Sequence, residues 1–114
     1  MFKSKHSLEQ RTKDSSHIMS RHPSRIPVIV ERAHNCTLDK VDKDKYLVPK
    51  DMQLCQFIYI IRKRIKLDDN ETVFLFVNDN VLPPTSSTIS SIYDQNKDED
   101  GFLYISYCNE NVFG

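Results

Sequence analysis

The sequence predicts an α+β domain in which a sheet wraps around one diagonal helix, the arrangement called a β-grasp. Three observations point there. Leu54, Phe57, Ile58, Ile61 and Ile65 recur at helical spacing, placing one strongly apolar helix near the middle of the chain. Runs rich in β-branched and aromatic residues lie on both sides of it, at 25–32, 46–48, 72–77 and 102–108. At 114 residues, the chain has room for one domain and one main core.

The elements follow in order. Residues 1–22 are polar and helix-compatible, with Ser7 and Gln10 spaced as a capping box and Leu8, Ile18 and Met19 as the large apolar residues of the helix. His22-Pro23 ends this segment, because the residue before proline is pushed out of helical geometry. Arg25 to Arg32 reads as a strand, and Pro27 near its start suits an edge position or a strand entry. The polar stretch 33–45 connects it to Tyr46-Leu47-Val48, which Pro49 stops. The main helix then begins at Gln53, or at Asp51 just before it. Beside its first apolar face, Phe57, Ile60 and Arg64 form a second ridge, more than one core needs.

Thr72 to Val77 is an unbroken run typical of a buried strand. Residues 78–84 form a loop, Thr85 to Ser87 are placed to cap a short helix, and Ile89, Ile92 and Tyr93 share one face of that helix. Asp98 to Gly101 is a turn. In the last strand Leu103, Ile105 and Tyr107 point one way, and Phe102, Tyr104 and Ser106 the other. Both rows are largely apolar, so both sheet faces need cover, and residues 1–22 are what remains to cover the second.

Net charge is zero, but residues 1–66 hold 15 Lys and Arg against 7 Asp and Glu, while residues 67–114 hold 1 against 9. Such halves either neutralise each other within the fold or present a basic face to acidic partners. The longest uninterrupted apolar run, Phe57 to Ile61, is far short of the ~18 residues of a membrane span, and no apolar leader segment opens the chain. Cys36, Cys55 and Cys108 show no paired spacing and read as reduced thiols. His6, His17 and His22 lack metal-ligand spacing, so no metal is expected. No cofactor is implied either: glycine occurs only at 101 and 114, which excludes a glycine-rich phosphate loop. No nucleophile–base motif suggests an enzyme. The basic half lacks a stacking-aromatic motif, so no nucleic acid is expected as a partner.

Several motifs, taken together, resemble one family. They are Arg25-Ile-Pro-Val-Ile-Val-Glu, Asp42-Lys-Asp-Lys-Tyr-Leu-Val-Pro, Gln56-Phe-Ile-Tyr-Ile-Ile-Arg-Lys-Arg-Ile, Leu82-Pro-Pro-Thr, Asp100-Gly-Phe-Leu-Tyr-Ile-Ser-Tyr and Phe113-Gly114. In this order, over nearly the whole chain, they resemble the autophagy-related protein 8 family of ubiquitin-like modifiers, which includes GABARAP and microtubule-associated light chain 3. The resemblance implies a ubiquitin-like β-grasp, a four-stranded mixed sheet around a diagonal helix, preceded by two N-terminal helices. It divides the chain into a helical extension at 1–22 packed on the sheet, a ubiquitin-like domain at 25–108 and a conjugation tail at 109–114.

The resemblance also implies a function. Family members are modifiers rather than enzymes, handled by an activating and a conjugating enzyme and by a processing and deconjugating cysteine protease. They are joined through a C-terminal glycine, here Gly114, to phosphatidylethanolamine, act in autophagosome formation, and recruit cargo receptors. They occupy the cytoplasm, the autophagosome membrane and vesicles bound for the vacuole or lysosome. Glycine suits the conjugated position, since an extended tail without a side chain enters narrow enzyme clefts.

Family partners present a short aromatic-x-x-aliphatic motif that adds a strand along the Lys45–Val48 edge. Carried across residue by residue, Asp14, Ile18, Pro27, Ile29, Lys45, Leu47 and Phe102 match the aromatic pocket. Tyr46, Val48, Pro49, Met52, Phe57 and Ile60 match the aliphatic pocket, and Arg25, Lys43 and Arg64 match the charged rim. On residue type alone, Leu47, Phe57 and Ile60 read as core; Tyr46 and Met52, beside a proline and lysines, read as exposed.

The chain departs from the family pattern in a loop one residue longer at 77–84, in Ser7 where proline is frequent, in a more polar helix at Ser87, Thr88, Ser90 and Ser91, and in the 34–40 connection. These bear on lineage and partner preference. An unconjugated trafficking or cytoskeletal adaptor using the same face is the alternative expectation.

Overall fold

The computed structural model describes residues 1–34 and 36–109. In chain order the elements are α1 (Phe2–Lys5), α2 (Leu8–Arg21), β1 (Arg25–Arg32), β2 (Lys45–Pro49), α3 (Leu54–Arg64), β3 (Phe74–Val77), α4 (Ile89–Asn96) and β4 (Leu103–Cys108). The sheet order is β2-β1-β4-β3. β1 pairs antiparallel with β2 and parallel with β4, and β3 pairs antiparallel with β4. This is the mixed four-stranded β-grasp, with two helices ahead of it.

Period-2 alternation divides the strands between two apolar layers. Ile26, Val28 and Val30 of β1 and Leu103, Ile105 and Tyr107 of β4 face Leu54, Phe57 and Ile61 of α3, Ile65 just after it, and Ile89, Ile92 and Tyr93 of α4. On the other side Ile29, Phe102 and Tyr104 meet Phe2 of α1 and Ile18 of α2, with Leu47 packed at the edge. The two rows of the last strand fall on opposite faces, and the residues from Leu103 to Cys108 are all buried.

Local chemistry explains where the helices start. The Ser7 hydroxyl accepts from the Gln10 N–H while the Gln10 side chain accepts from the Ser7 N–H, so the capping box forms. α2 ends at Arg21, with His22 as its C-cap before Pro23. α3 starts after Gln53, not Asp51. Its first N–H groups are satisfied from outside the helix, Leu54 N–H donating to the Ser87 carbonyl and Cys55 N–H to the Thr85 carbonyl.

Two expectations need correction, and a third, left between two alternatives, is decided. Thr85 to Ser87 do not cap α4; their carbonyls serve α3, and Thr88 is the cap, its hydroxyl accepting from Ser91 N–H at 3.3 Å. Pro27 is not on an edge strand, since β1 is central. Val30 N–H donates to the Asp44 carbonyl, so by alternation the nitrogen at position 27 faces the β4 side, where pairing starts only at Val28. Pro27 is therefore tolerated as a strand entry. Finally, the run at 72–77 yields the shorter strand Phe74–Val77, buried from Leu75 on but at a sheet edge.

Candidate functional site

The site follows from β2 being the other edge of the sheet. Val30 N–H donates to the Asp44 carbonyl and Lys50 N–H to the Ser24 carbonyl. By alternation, the backbone groups of Tyr46 and Val48 face β1, while those of Lys45 and Leu47 face outward. The Arg25 guanidinium donates to the Leu47 carbonyl at 3.0 Å and covers one of these outward groups. Side chains alternate in the perpendicular direction. Tyr46 and Val48 enter the layer under α3, and Leu47 joins the layer under α2.

The residues expected around an aromatic side chain come together. Ile18, Ile29 and Phe102 are buried in one cluster with Leu47 at its rim. Pro27 is buried and sits opposite Leu47. Lys45 and Asp14 form an ion pair across the mouth, each about a third exposed at the side chain (38% and 34%).

The second set gathers under α3. Val48 and Phe57 are fully in the main core, Met52 and Ile60 pack partly buried against it, and Pro49 is half-buried at the end of β2. Tyr46 corrects an expectation: it is 6% exposed, because alternation with Val48 points it inward despite the flanking lysines. Its ring meets Phe57 edge-on at 5.8 Å, and its hydroxyl has no hydrogen-bond partner among the described residues. Burial pushes the phenol pKa above its ordinary value, with Arg64 pulling it back and Asp42 and Asp44 adding to the rise. Lys43 and Arg64 lie over this ring at 5.0 and 5.9 Å from its centre, and Arg64 also pairs with Asp42 at 3.2 Å. Met52 is half-buried rather than exposed.

Three cavities, of about 410, 640 and 210 Å³, lie beside α1 and the outer ends of β1, β3 and β4; none is lined by the expected docking residues.

The comparisons with known proteins agree with this fold. The family model described as autophagy protein Atg8, ubiquitin-like, matches residues 10–114. The chain belongs to the Atg8 family. It is 55% identical over 113 residues to autophagy-related protein 8c of Arabidopsis thaliana, covering 99% of this chain and 94% of that protein. It is 51% identical to autophagy-related protein 8 of Mycosarcoma maydis, covering 99% and 95%. A crystal structure of Trypanosoma brucei ATG8 superposes with a TM-score of 0.91 at 39% identity, covering 99% of this chain and 97% of that one. The fold is thus the ubiquitin-like fold of Atg8 proteins, and the chain has an autophagy-associated, ubiquitin-like role.

Within this Atg8 fold, one group of residues escaped the sequence reading. Asp100 is buried, yet it accepts from Arg11 at 2.7 Å, from the Tyr104 hydroxyl at 2.5 Å and from the Phe102 N–H at 2.8 Å. The Ser15 hydroxyl donates to the Asp100 carbonyl. Gly101 lets α2 come this close: its φ is +89°, and a Cβ there would stand 2.5 Å from the Ser15 oxygen. Phe2 was also missed; it packs edge-on against Phe102 at 5.4 Å. A lone aromatic in a polar N-terminus was the available signal. Gly114, the expected conjugated residue, lies outside the described residues.

Proposed function

We propose that this chain is a modifier joined through Gly114 to phosphatidylethanolamine, and that it recruits to autophagosome membranes the receptors and adaptors bearing an aromatic-x-x-aliphatic motif. The division of the chain is part of the proposal, with a helical extension at 1–22, a ubiquitin-like body at 25–108 and a conjugation tail at 109–114. Activating and conjugating enzymes and a cysteine protease act on it; the chain itself catalyses nothing. It moves from the cytoplasm to the autophagosome membrane and onward with vesicles bound for the vacuole or lysosome. The two acyl chains of the lipid provide the stable anchoring that one chain does not.

The observation that supports docking is the outward edge of β2, whose side chains divide between two apolar layers. An added peptide strand would bond to the outward groups of Lys45 and Leu47. Its aromatic side chain would enter between Asp14, Ile18, Pro27, Ile29, Lys45, Leu47 and Phe102. Its aliphatic side chain would reach Tyr46, Val48, Pro49, Met52, Phe57 and Ile60. Opening the face requires parting Lys45 from Asp14 and freeing the Leu47 carbonyl from Arg25. Exposed pairs of this kind are worth ~0–1 kcal/mol each, so the closed face opens cheaply. Acidic residues of the partner then take over Arg25, Lys43 and Arg64.

Two measurements test the proposal. Incubation with Atg8 activating and conjugating enzymes, ATP and phosphatidylethanolamine vesicles should add the mass of the lipid, and deletion of Gly114 should abolish the adduct. No adduct with Gly114 present would point to the unconjugated adaptor instead, and an undiminished adduct without Gly114 would refute that residue as the point of conjugation. For docking, Leu47→Ala should weaken an aromatic-x-x-aliphatic peptide by about tenfold or more in calorimetry, about 1.4 kcal/mol, while the fold is kept. Unchanged affinity would refute the assignment. Leu47 is the better probe than Tyr46, whose truncation would also empty part of the core.

A further inference from the structure

The three cysteines have no part in the function proposed above, and two of them meet. Ala33 N–H donates to the Tyr107 carbonyl at 2.9 Å, which carries the β1–β4 pairing to the end of β4. The chain then turns, Cys36 N–H donating to the Ala33 carbonyl at 3.1 Å, and so returns to the level of Cys108. The next residues are stitched together: the Asn109 amide donates to the Thr37 hydroxyl at 2.6 Å and accepts from Thr37 N–H at 3.4 Å. The Cys36 sulfur accepts from Leu38 N–H at 3.4 Å and from the backbone N–H of Asn109, and it lies against the Cys108 thiol. Cys36 is half-buried; Cys108 is 1% exposed but forms part of the wall of the 640 Å³ cavity. The third thiol, Cys55, is exposed on α3.

We propose that Cys36 and Cys108 are a modification site, closing to a reversible intramolecular disulfide under hydrogen peroxide. Cys36, the more accessible of the two, loses its proton to solvent, and its thiolate attacks the peroxide. An S–O bond forms, the O–O bond breaks, and the departing hydroxide takes up a proton to become water. The Cys108 sulfur then displaces the hydroxyl of the sulfenic acid: the S–S bond forms, the S–O bond breaks, and a second water leaves with the Cys108 proton. Together the thiols give up two protons and two electrons, and one peroxide becomes two waters. A dithiol reductant reverses the step by exchange. The bond would fasten the 33–41 connection to the end of β4, immediately before the residues that lead to Gly114. Burial, followed by the neighbouring Cys108 thiol, pushes the Cys36 pKa up, against the pull of the two backbone N–H groups. Closure is therefore slow at neutral pH and quickens as pH rises.

The test uses the full chain carrying Cys55→Ser, treated with hydrogen peroxide, blocked by alkylation, and read by intact mass and non-reducing peptide mapping. The expected product is a monomer lighter by about 2 Da, with one linked peptide joining positions 36 and 108, fully restored by dithiothreitol. Its initial rate should rise about tenfold per pH unit while the thiolate remains the minor form. In a chain that also carries Cys36→Ser, Cys108 should stay a thiol at the same dose. A monomer that only gains oxygen, about 16 Da each, would overturn the proposal. So would a disulfide-linked dimer, or equal oxidation of Cys108 without Cys36.

Discussion

The two faces of the sheet are built on different principles. Under α3 and α4, nineteen buried residues among those described form a continuous apolar layer, and the one buried side-chain atom in it without a partner is the Tyr46 hydroxyl. Under α1 and α2 the apolar layer has five buried residues, and beside it sits a buried carboxylate with three donors. The N-terminal helices contribute only Phe2 and Ile18 as buried large apolar side chains. Those two bring about 3–6 kcal/mol of burial, at about 1.5–3 kcal/mol each. Breaking one buried ion pair costs ~3–5 kcal/mol, so on this face the polar network matters as much as the apolar contact. Area holds the inner layer; specific charged hydrogen bonds hold the outer one.

The largest expected effect follows from removing the carboxylate. Asp100→Ala leaves Arg11, with a side chain only 10% exposed, without its carboxylate partner, and takes the acceptor away from the Phe102 N–H and the Tyr104 hydroxyl. We expect a loss of about 3–5 kcal/mol in urea unfolding. Hydrogen exchange should show where the loss falls, with α2 amides losing protection well before α3 amides. Equal loss in both helices, or stability unchanged within about 0.5 kcal/mol, would show that the layers are not separable in this way.

The same contrast explains what was legible in the sequence. The inner layer follows the period of 3.6 in α3 and of 2 in the strands, and those patterns can be read without a structure. The Asp100 network cannot be read that way: Arg11 and Asp100 stand 89 residues apart, and each is a single polar residue in a polar stretch. Tyr46 was misread for a related reason. Its neighbours Lys45 and Pro49 suggested a surface, whereas its alternation with Val48 pointed to the core, and alternation decided. The cap of α4 is Thr88 rather than 85–87, whose carbonyls at Thr85 and Ser87 instead serve the start of α3, a contact between distant segments. The expected docking residues are legible as a set only through the family resemblance, since residue type alone assigns Leu47, Phe57 and Ile60 to the core. Two of them, Phe57 in full and Ile60 in part, do belong there.

A smaller effect sharpens the comparison, because each layer holds a buried tyrosine. Tyr104 donates to Asp100 at 2.5 Å, while Tyr46 has no partner among the described residues. Tyr104→Phe removes a hydrogen bond to a charged group and should cost about 1.5–3 kcal/mol. Tyr46→Phe removes a hydroxyl that was desolvated without compensation, and should be neutral or stabilising by up to about 1–3 kcal/mol. The two variants also differ in alkali. Burial, then the hydrogen bond to Asp100, raises the Tyr104 pKa well above its ordinary 10.0, with Arg11 pulling the other way. A raised pKa means the folded state holds its proton more tightly. The stabilisation is fully present below about pH 10 and is lost as pH climbs past it. Tyr104→Phe should therefore unfold with a shallower decline above that pH than the parent chain. Tyr46→Phe should flatten the decline less, since that phenol is raised by burial and by Asp42 and Asp44 against the pull of Arg64, with no hydrogen bond to a carboxylate. Parallel unfolding curves for the two variants from neutral pH to pH 11 would mean that the hydroxyls sit in equivalent surroundings, and the distinction between the layers would then rest on apolar area alone.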